Sequence, residues 1–364
     1  MKVLTAGGAM IDTVAIIASD RIERMSMMNA ENSFLLLEEG RKTEALEIST
    51  HVGGGAINAA VAMARLGLDV AALIKLGKDA RAETVLARLM EEGVSTRWAM
   101  RDGRAPTGAS VLISSHDRNA AIFTFRGANT LLEAADLRRE AFAVDLVYIA
   151  SLSNQSADTF PVIAGEAKAQ GALVAANPGV RQLTSRGSAF QDTLAKIDIL
   201  AINRSEADAL VPSLVGRFGE GTTVFPAKPG EQLPRLATRG LAGGGHEIAL
   251  VDFLAGLRKL GPRYVVVTDG RQGAFLGTQH SILFCPVLET KVAGTAGAGD
   301  AFNATFAASI AMGRSAGEAL RAAAINAAAV VTRVDTQTGL LSLAELDQRL
   351  AAAKERLSVR TWML

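Results

Sequence analysis

Short apolar runs alternate with helix-forming segments through most of this 364-residue chain. Each run is of strand length, and the segments between the runs show the spacing of helices. Strands that alternate with helices form a parallel sheet covered by those helices. The sequence therefore predicts an α/β fold with a mostly parallel central sheet. The runs predicted as its strands lie at residues 3–6, 70–76, 146–150, 172–176, 197–202 and 264–268.

Two stretches depart from this alternation and predict a second, smaller sheet. They are rich in β-branched and aromatic residues, and the first of them comes before the first predicted helix. A strand-rich stretch at that position indicates a small sheet that stands off the main body. Its predicted strands are 14–17, 34–37 and 45–49, with a methionine-rich loop between the first two, and a hairpin of 107–114 and 120–125.

The sequence GTAGAGDAFN at residues 294–303 lies directly before an alanine-rich run with helical spacing. Glycines let the backbone approach a ligand closely, and the free N–H groups of a helix start bind anions. The Walker A motif fails here, because Asp300 and Ala301 stand where it needs Lys and Ser or Thr. A carboxylate at the rim of an anion site suits a base that deprotonates a hydroxyl during phosphoryl transfer. The alternative is an ordinary turn before a helix that carries Asp300 in its first turn because of the helix dipole.

Polar residues follow several of the predicted strands. Asp12 comes soon after the first strand, at the edge where open α/β sheets bind ligands, but it could also be a turn residue. Asn58 lies at the start of a helix that follows three glycines, and it could contact a ligand or cap the helix. Asn203 and Glu206 lie one helical turn apart, so they could reach the same ligand or ion, or could form a capping pair.

Charge and cysteine content narrow the possible partners. A formal net charge of +1 predicts no nucleic-acid partner. The single cysteine, Cys285, excludes an internal disulfide and a cysteine zinc cluster, and we expect it in a buried strand. No apolar span is long enough to cross a bilayer, so we expect a cytoplasmic protein with no membrane partner.

Hydrolase motifs are missing from the sequence. The four histidines are dispersed without an HExxH motif, and there is no GxSxG elbow for a serine nucleophile. Carboxylates, asparagines and glycine-rich turns remain, each at a predicted strand end. Phosphoryl transfer needs little more, because positioning and charge stabilisation do most of its work.

An ordered set of motifs resembles the ribokinase-like, or PfkB, carbohydrate kinases over essentially the whole chain. The motifs are GGGAINAA with ARLG near the N-terminus, NRSE in the middle, TDGRQG after a strand and TAGAGDAFN near the C-terminus. The last motif is quite specific, whereas the others are strong only as an ordered set. The resemblance implies a three-layer α/β sandwich with a small β-sheet lid. It also implies an ATP- and Mg²⁺-dependent kinase that phosphorylates a primary hydroxyl of a sugar or sugar-like substrate.

The resemblance further implies a division of the chain into two parts. Residues 1–12, 51–104 and 129–364 would form the α/β nucleotide- and substrate-binding domain, and residues 13–50 and 105–128 the β lid. Because such lids often pair with a second subunit, a homodimer is expected.

Roles for single residues also follow from the resemblance. Asp300 would be the general base, and Glu206 would act at Mg²⁺ through water. The anion hole would comprise Gly297, Ala298 and Gly299. The sugar hydroxyls would be held by Asp12, Gly53, Gly54 and Asn58, and the nucleotide phosphates by Asn203, Thr268, Gly270 and Gly273.

Two departures from the family pattern, one at the cation site and one in residues 211–248, limit the transfer of these roles. Gly294 stands where the family usually has an Asp that helps to bind an activating monovalent cation, so potassium dependence is left open. Asp335 stands where the family commonly has Gly in a loop of the same cation site, and our hypothesis is that Asp335 restores the lost carboxylate. Residues 211–248 are longer than most members need there, and their Gly- and Pro-rich composition predicts irregular surface structure.

The sequence also allows two other functions. A nucleoside kinase of the same fold needs apolar or aromatic walls, and the lid offers only Phe34, Phe123 and Phe125, so sugars rank first. A sugar-binding regulatory protein without catalysis is the alternative from another class. Arg126 and Lys42 could meet a phosphate or carboxylate on the acceptor, although exposed basic residues are usually only solvated.

Overall fold

The structure, a computed structural model, describes residues 1–18, 23–26, 33–36, 40, 42–115, 120–353 and 357–364. The strands, in chain order, are β1 (Lys2–Ala6), β2 (Met10–Ile17), β3 (Glu23–Ser26), β4 (Ser33–Leu36), β5 (Ala45–Gly53), β6 (Asp69–Gly77), β7 (Ala99–Asp102), β8 (Gly108–Ser115), β9 (Ala120–Phe125), β10 (Leu146–Ile149), β11 (Leu173–Ala176), β12 (Ile199–Asn203), β13 (Leu241–Gly243), β14 (His246–Ile248), β15 (Tyr264–Thr268), β16 (Ala274–Gly277), β17 (Ser281–Cys285) and β18 (Arg360–Met363). The α-helices are α1 (Gly55–Arg65), α2 (Ala80–Glu91), α3 (Phe160–Ala169), α4 (Val180–Ser185), α5 (Gly187–Thr193), α6 (Arg204–Phe218), α7 (Arg235–Arg239), α8 (Leu250–Lys259), α9 (Ala298–Ala311), α10 (Ala316–Val330) and α11 (Leu343–Ala352).

The central sheet has the strand order β18-β17-β16-β15-β12-β11-β10-β1-β6-β7. From β15 to β7 the neighbouring strands are parallel, whereas β16, β17 and β18 form an antiparallel edge. The predicted mostly parallel sheet is confirmed. The sequence pattern does not predict β7, β16 or β18, because these short runs lie outside the alternation of strands with helices.

Helices cover both faces of this sheet. Val3 and Leu4 are neighbours on β1 but point into opposite cores, as alternation along a strand requires. One core includes residues of α1, α9 and α10, and the other includes residues of α3, α6 and α8. The expected three-layer sandwich is therefore confirmed. None of the helices in the described ranges is long and apolar enough to cross a membrane.

A smaller sheet has the strand order β5-β2-β8-β9. Asp12 on β2 pairs with Ser110 on β8, and Val111 on β8 pairs with Phe123 on β9. Since successive side chains point to opposite faces, Asp12 and Ser110 share one face of this sheet, and Val111 and Phe123 share the other. The predicted small lid sheet is thus confirmed, while its domain boundaries stay a prediction. The hairpin turn at 116–119 lies outside the described residues.

Two expectations of irregular structure are wrong in part. β3 lies within the segment predicted as a methionine-rich loop, where it pairs with β4. Within 211–248, helix α6 continues through Pro212, and β13 and β14 form a hairpin. Pro212 has no N–H group, so the carbonyl of Asp208 loses its partner in the helix. Gly243 of the hairpin approaches that carbonyl so closely that a side chain there would collide with it. The Gly- and Pro-rich composition therefore marks, in part, a hairpin packed on a helix.

The carboxyl ends of the parallel strands meet at one edge of the central sheet. Asn203 and Thr268 end the neighbouring strands β12 and β15 and are register partners. Ala150 follows β10 directly, and a Cβ built on Gly55 at the start of α1 would lie 3.2 Å from the Cβ of Ala150. Open α/β sheets bind their ligands at this edge.

Candidate active site

The glycine-rich stretch before α9 forms a tight turn at this edge. Gly297 has a φ of +77°, and a Cβ there would lie 2.6 Å from the Cβ of Thr336, so only glycine fits. α9 begins at Ala298, which places Asp300 in its first turn. A Cβ on Gly299 would meet no described atom within 4 Å, so this turn faces open space. The N–H groups of a first turn have no partner within the helix and can therefore bind an anion there.

Asp300 is hydrogen-bonded to the start of α1. Nδ2 of Asn58 donates to Oδ2 of Asp300 over 2.7 Å. Burial raises the pKa of the Asp300 carboxyl, the hydrogen bond from Asn58 opposes this rise, and the charge of Asp12 adds to it. A carboxylate with a raised pKa is a stronger base than a free aspartate, which suits proton removal from a hydroxyl.

Asp12 lies within strand β2 and not in a turn. The hydroxyl of Ser110 donates to its Oδ1. Burial raises the pKa of Asp12, and the bond from Ser110 and the nearby His51 oppose this rise. A side chain on Gly53, at the end of β5, would collide with Oδ2 of Asp12. The glycine therefore leaves room for the carboxylate directly above the backbone.

Gly54 forms the junction between β5 and α1. Its φ is +98°, and a Cβ there would lie 2.6 Å from the carbonyl oxygen of Gly8. This close approach brings the start of α1, and with it Asn58, against the loop that follows β1.

The side-chain amide of Gln337 has a fixed orientation. Its Nε2 donates to the carbonyl of Val52 over 2.9 Å, and its Oε1 accepts from Nε of Arg88 over 3.0 Å. An arginine nitrogen can only donate and a carbonyl oxygen can only accept, so the amide cannot flip without losing both bonds.

Gln337 in turn fixes the orientation of Asn58. Oδ1 of Asn58 accepts from Oγ1 of Thr336 over 2.9 Å and from Nε2 of Gln337 over 3.2 Å. Because Nε2 can only donate, the oxygen of Asn58 must face Gln337, and Nδ2 must face Asp300. Sequence reasoning missed Thr336 and Gln337, since no motif contains them.

Asn203 and Glu206 form a reciprocal capping box at the start of α6. The N–H group of Glu206 donates to Oδ1 of Asn203 over 2.9 Å, and that of Asn203 donates to Oε2 of Glu206 over 2.9 Å. Burial raises the pKa of Glu206 to about 7, the bonds from Asn203 oppose the rise, and the charge of Asp300 adds to it. The capping alternative is thus observed, and the cap uses only Oε2 of Glu206.

These carboxylates fit a hydrated cation. Among the residues that the structure describes, no group of three His, Cys, Asp or Glu side chains could hold a metal ion. Mg²⁺ often binds through one or two carboxylates and keeps several waters. Burial is the main cause of the raised pKa of Glu206, and a Mg²⁺ ion near Glu206 and Asp300 would offset the repulsion that adds to it.

The turn after β15 contains the remaining predicted residues. Gly270 and Gly273 have φ values of +51° and +104°, and a Cβ on Gly273 would lie 2.5 Å from the carbonyl oxygen of Cys285. Thr268 is the register partner of Asn203, so the turn lies beside the capping box. Cys285 is buried in β17, as expected.

The predicted residues thus fall into two groups at the same edge. The first surrounds Asp300 and the second surrounds the ends of β12 and β15, and the charge of Asp300 acts on Glu206 of the second group. The first group is Asp12, Gly53, Gly54, Asn58, Gly297, Ala298, Gly299 and Asp300, and the second is Asn203, Glu206, Thr268, Gly270 and Gly273.

Comparison with known proteins assigns the chain to a family. A model described as "pfkB family carbohydrate kinase" matches residues 22–227 and 235–343. The chain belongs to this family. The PfkB kinase is therefore an ATP-dependent phosphotransferase that acts on a sugar hydroxyl.

Proteins similar to this chain include several sugar kinases. The deoxyribokinase of Salmonella typhi is 24% identical over 341 residues, which cover 93% of this chain and 98% of that protein. The ribokinase of Bacillus subtilis (strain 168) is 24% identical over 315 residues, which cover 86% and 92%. The structure of Arabidopsis thaliana ribokinase complexed with ribose and ATP matches with a TM-score of 0.69 at 22% identity, covering 96% of this chain and 98% of that one. The likeness to that structure shows the shared fold.

Proposed function

We propose that this PfkB kinase transfers the γ-phosphoryl group of ATP to a primary hydroxyl of a sugar or sugar-like acceptor, with Asp300 as the general base. The observation that carries the proposal is the hydrogen bond from Asn58 to Asp300 beside the open first turn of α9. Asp12 and Asn58 would hold hydroxyl groups of the acceptor, with Gly53 and Gly54 leaving room for them. The base would then take the proton of the hydroxyl as it attacks the phosphorus.

The first turn of α9 would stabilise the charge of the transferred group. In this proposal the N–H groups of Gly297, Ala298 and Gly299 form the anion hole, where fixed donors are most effective. Asn203, Thr268, Gly270 and Gly273 would lie along the phosphates of ATP. Glu206 would hold Mg²⁺ through water, and the ion would neutralise charge on the phosphates.

A monovalent cation site beside α9 is part of the proposal. A Cβ built on Gly294 would lie 3.1 Å from the carbonyl oxygen of Arg333 and 3.3 Å from that of Val334. Carbonyl and carboxylate oxygens are ligands of hard cations. We propose that Asp335 supplies the carboxylate that Gly294 cannot, so that K⁺ activates the enzyme.

The exposed face of the small sheet supports a homodimer. Four apolar side chains share the face opposite Asp12, and a monomer rarely exposes such a patch without function. Their exposed fractions are 67% for Ile48, 43% for Val111, 59% for Phe123 and 53% for Phe125. We propose that these residues pack against a second copy of the chain.

The same alternation favours sugars over nucleosides as acceptors. Phe123 and Phe125 lie on the face opposite Asp12, so they offer no ring to a base bound beside it. The side chain of Phe34, the third aromatic residue of the lid, lies outside what the structure describes.

The test is a coupled assay of ADP release with ribose, deoxyribose, fructose, keto-deoxy sugar acids, sugar phosphates and nucleosides as acceptors. We expect turnover with a member of the sugar set and a new phosphate ester on its primary carbon by ³¹P NMR. Turnover with nucleosides alone would support the nucleoside kinase. Absence of ADP formation with every acceptor would support a sugar-binding regulatory protein without catalysis.

A further inference from the structure

Arg126 is a half-buried cation without a carboxylate partner among the described residues. Its Nη1 donates to Oγ of Ser153 over 2.7 Å, and this neutral hydroxyl cannot balance the charge. Removing a charge from water is costly unless an opposite charge compensates it. Burial lowers the pKa of Arg126, and repulsion by Arg181, a second cation, lowers it further.

The neighbouring polar groups are also hydrogen-bond donors. Gln182, next to Arg181, is only 2% exposed, and its Oε1 accepts from the N–H group of Leu152 over 3.3 Å. Its Nε2 has no partner in the described part of the chain. Leu152 adjoins Ser153, so two guanidinium groups, a hydroxyl and an unpaired amide donor are associated with one loop. Such a set of donors suits an anion.

One side of this cluster adjoins the residues around Asp12. A Cβ built on Gly108 would lie 3.0 Å from the carbonyl oxygen of Arg126. Gly108 comes two residues before Ser110, whose hydroxyl donates to Asp12. In addition, Asn129 bonds through its amide to both backbone groups of Ala9, over 2.9 and 2.8 Å. The backbone of Arg126 is therefore held about two strand positions, roughly 7 Å, from Ser110, the residue that bonds to Asp12.

The other side of the cluster adjoins Asp300. Ser153 follows Ala150 by three residues in the loop after β10. A Cβ on Gly55 would lie 3.2 Å from Cβ of Ala150 and 3.5 Å from Oδ1 of Asp300. The same loop thus connects the base at one end to the guanidinium of Arg126 at the other.

From this arrangement we propose that Arg126, assisted by Arg181, binds an anionic group of the sugar acceptor, a carboxylate or a phosphate, at the end opposite the hydroxyl presented to Asp300. A guanidinium can make paired hydrogen bonds to either anion, and it binds them more specifically than a lysine does. The inference rests on the proposed function, since it places the acceptor between Asp300 and Arg126.

Binding measured without ATP tests this inference separately from phosphoryl transfer. Isothermal titration calorimetry would compare a neutral sugar (fructose), a sugar carboxylate (2-keto-3-deoxygluconate) and a sugar phosphate (fructose 1-phosphate). We expect one of the two anionic sugars to bind at least tenfold more tightly than fructose, and the stronger of the two identifies the anion. Arg126→Gln should weaken that binding by about 10- to 100-fold, the range of a lost charge-assisted hydrogen bond, and leave fructose unchanged.

The control is Arg186→Gln, because Arg186 is also partly buried but already paired with Asp158 over 2.6 Å. This variant should bind all three sugars like the wild type, and Arg126→Lys should recover part of the affinity for the anionic sugar. Fructose binding as tightly as both anionic sugars would overturn the inference, as would equal weakening of neutral and anionic sugars by Arg126→Gln. Tight anionic binding without any ADP release would instead contradict the proposed transfer and leave the anion site standing.

Discussion

Nδ2 of Asn58 lies 2.7 Å from Oδ2 of Asp300, although the two residues are 242 positions apart in the chain. The amide presents its nitrogen because Gln337 occupies its oxygen, and Arg88 holds Gln337 in turn. The Arg88 side chain is 28% exposed, on a helix that contributes no predicted site residue. The hydrogen bond that Asn58 donates to the proposed base therefore depends on residues outside the acceptor site.

Replacing Gln337 should change the protonation of Asp300. In Gln337→Glu the bond from Arg88 can persist, but the donor to Asn58 is lost, so Asn58 can rotate and withdraw its N–H group from Asp300. Without that bond the pKa of Asp300 should rise further, which moves the acidic limb of the kcat/KM profile to higher pH. A loss of rate with an unmoved acidic limb would mean that Gln337 supports only the fold. Gln337→Leu, which removes the side-chain bonds to Arg88, Val52 and Asn58, should show a shift in the same direction.

Asp300→Asn should fold normally and lose at least about a thousandfold in kcat. The asparagine keeps an oxygen that can accept from Asn58, so the local geometry survives while the proton acceptor is removed. General-base assistance and its positioning together account for a loss of this size. Steady-state kinetics measures the loss in kcat, and circular dichroism checks that the variant is folded. Near-normal turnover would refute the assignment of the base.

The sequence predicts the fold and the first residues of the site because both leave local patterns. Alternating strands and helices predict the parallel sheet. The glycines around Asp300 predict a tight turn, and in the structure this turn needs a φ of +77° at Gly297. Gln337 and Ser110 leave no such pattern, since each reaches its partner only after distant strands and loops pack together. Tyr148 is a further example, with a buried hydroxyl that has no partner among the described residues and a pKa raised by burial and by Asp300 and Glu206.

Glu206→Gln should remove a pH dependence of stability. Folding raises the pKa of Glu206 from 4.5 to about 7, so between these values the folded state keeps a proton that the unfolded chain releases. The free energy of unfolding therefore falls as pH rises through this window, by on the order of 3 kcal/mol at most. Glutamine keeps an oxygen for the N–H group of Asn203, so the cap is retained. Thermal melts from pH 4.5 to 8 should show a smaller decline for the variant, and parallel curves would contradict the raised pKa.

Phe123→Glu should convert the protein to a monomer. The side chain is 59% exposed on the apolar face of the small sheet, and a charge there would be buried in the proposed dimer interface. Ile122→Glu is the matched control, because Ile122 is 60% exposed but points to the opposite face. Sedimentation velocity should give a dimer for the wild type and for Ile122→Glu. A monomeric wild type would rule out the homodimer.

Two substitutions of Asp335 can distinguish binding of K⁺ from stabilisation of the local turn. Its Oδ1 accepts from the N–H groups of Gln337 and Thr338 over 2.8 and 2.6 Å, and these bonds, working against burial, lower the pKa of Asp335. Asparagine would keep that acceptor and remove only the charge. If the carboxylate binds K⁺, Asp335→Asn should lose activation by K⁺ while its melting temperature stays near that of the wild type. Asp335→Ala should lose both the activation and some stability, because the two N–H groups of the turn lose their partner. Titration of activity with KCl against choline chloride measures the response. A K⁺ response that persists in both variants would mean that Asp335 only stabilises the turn and does not bind the cation.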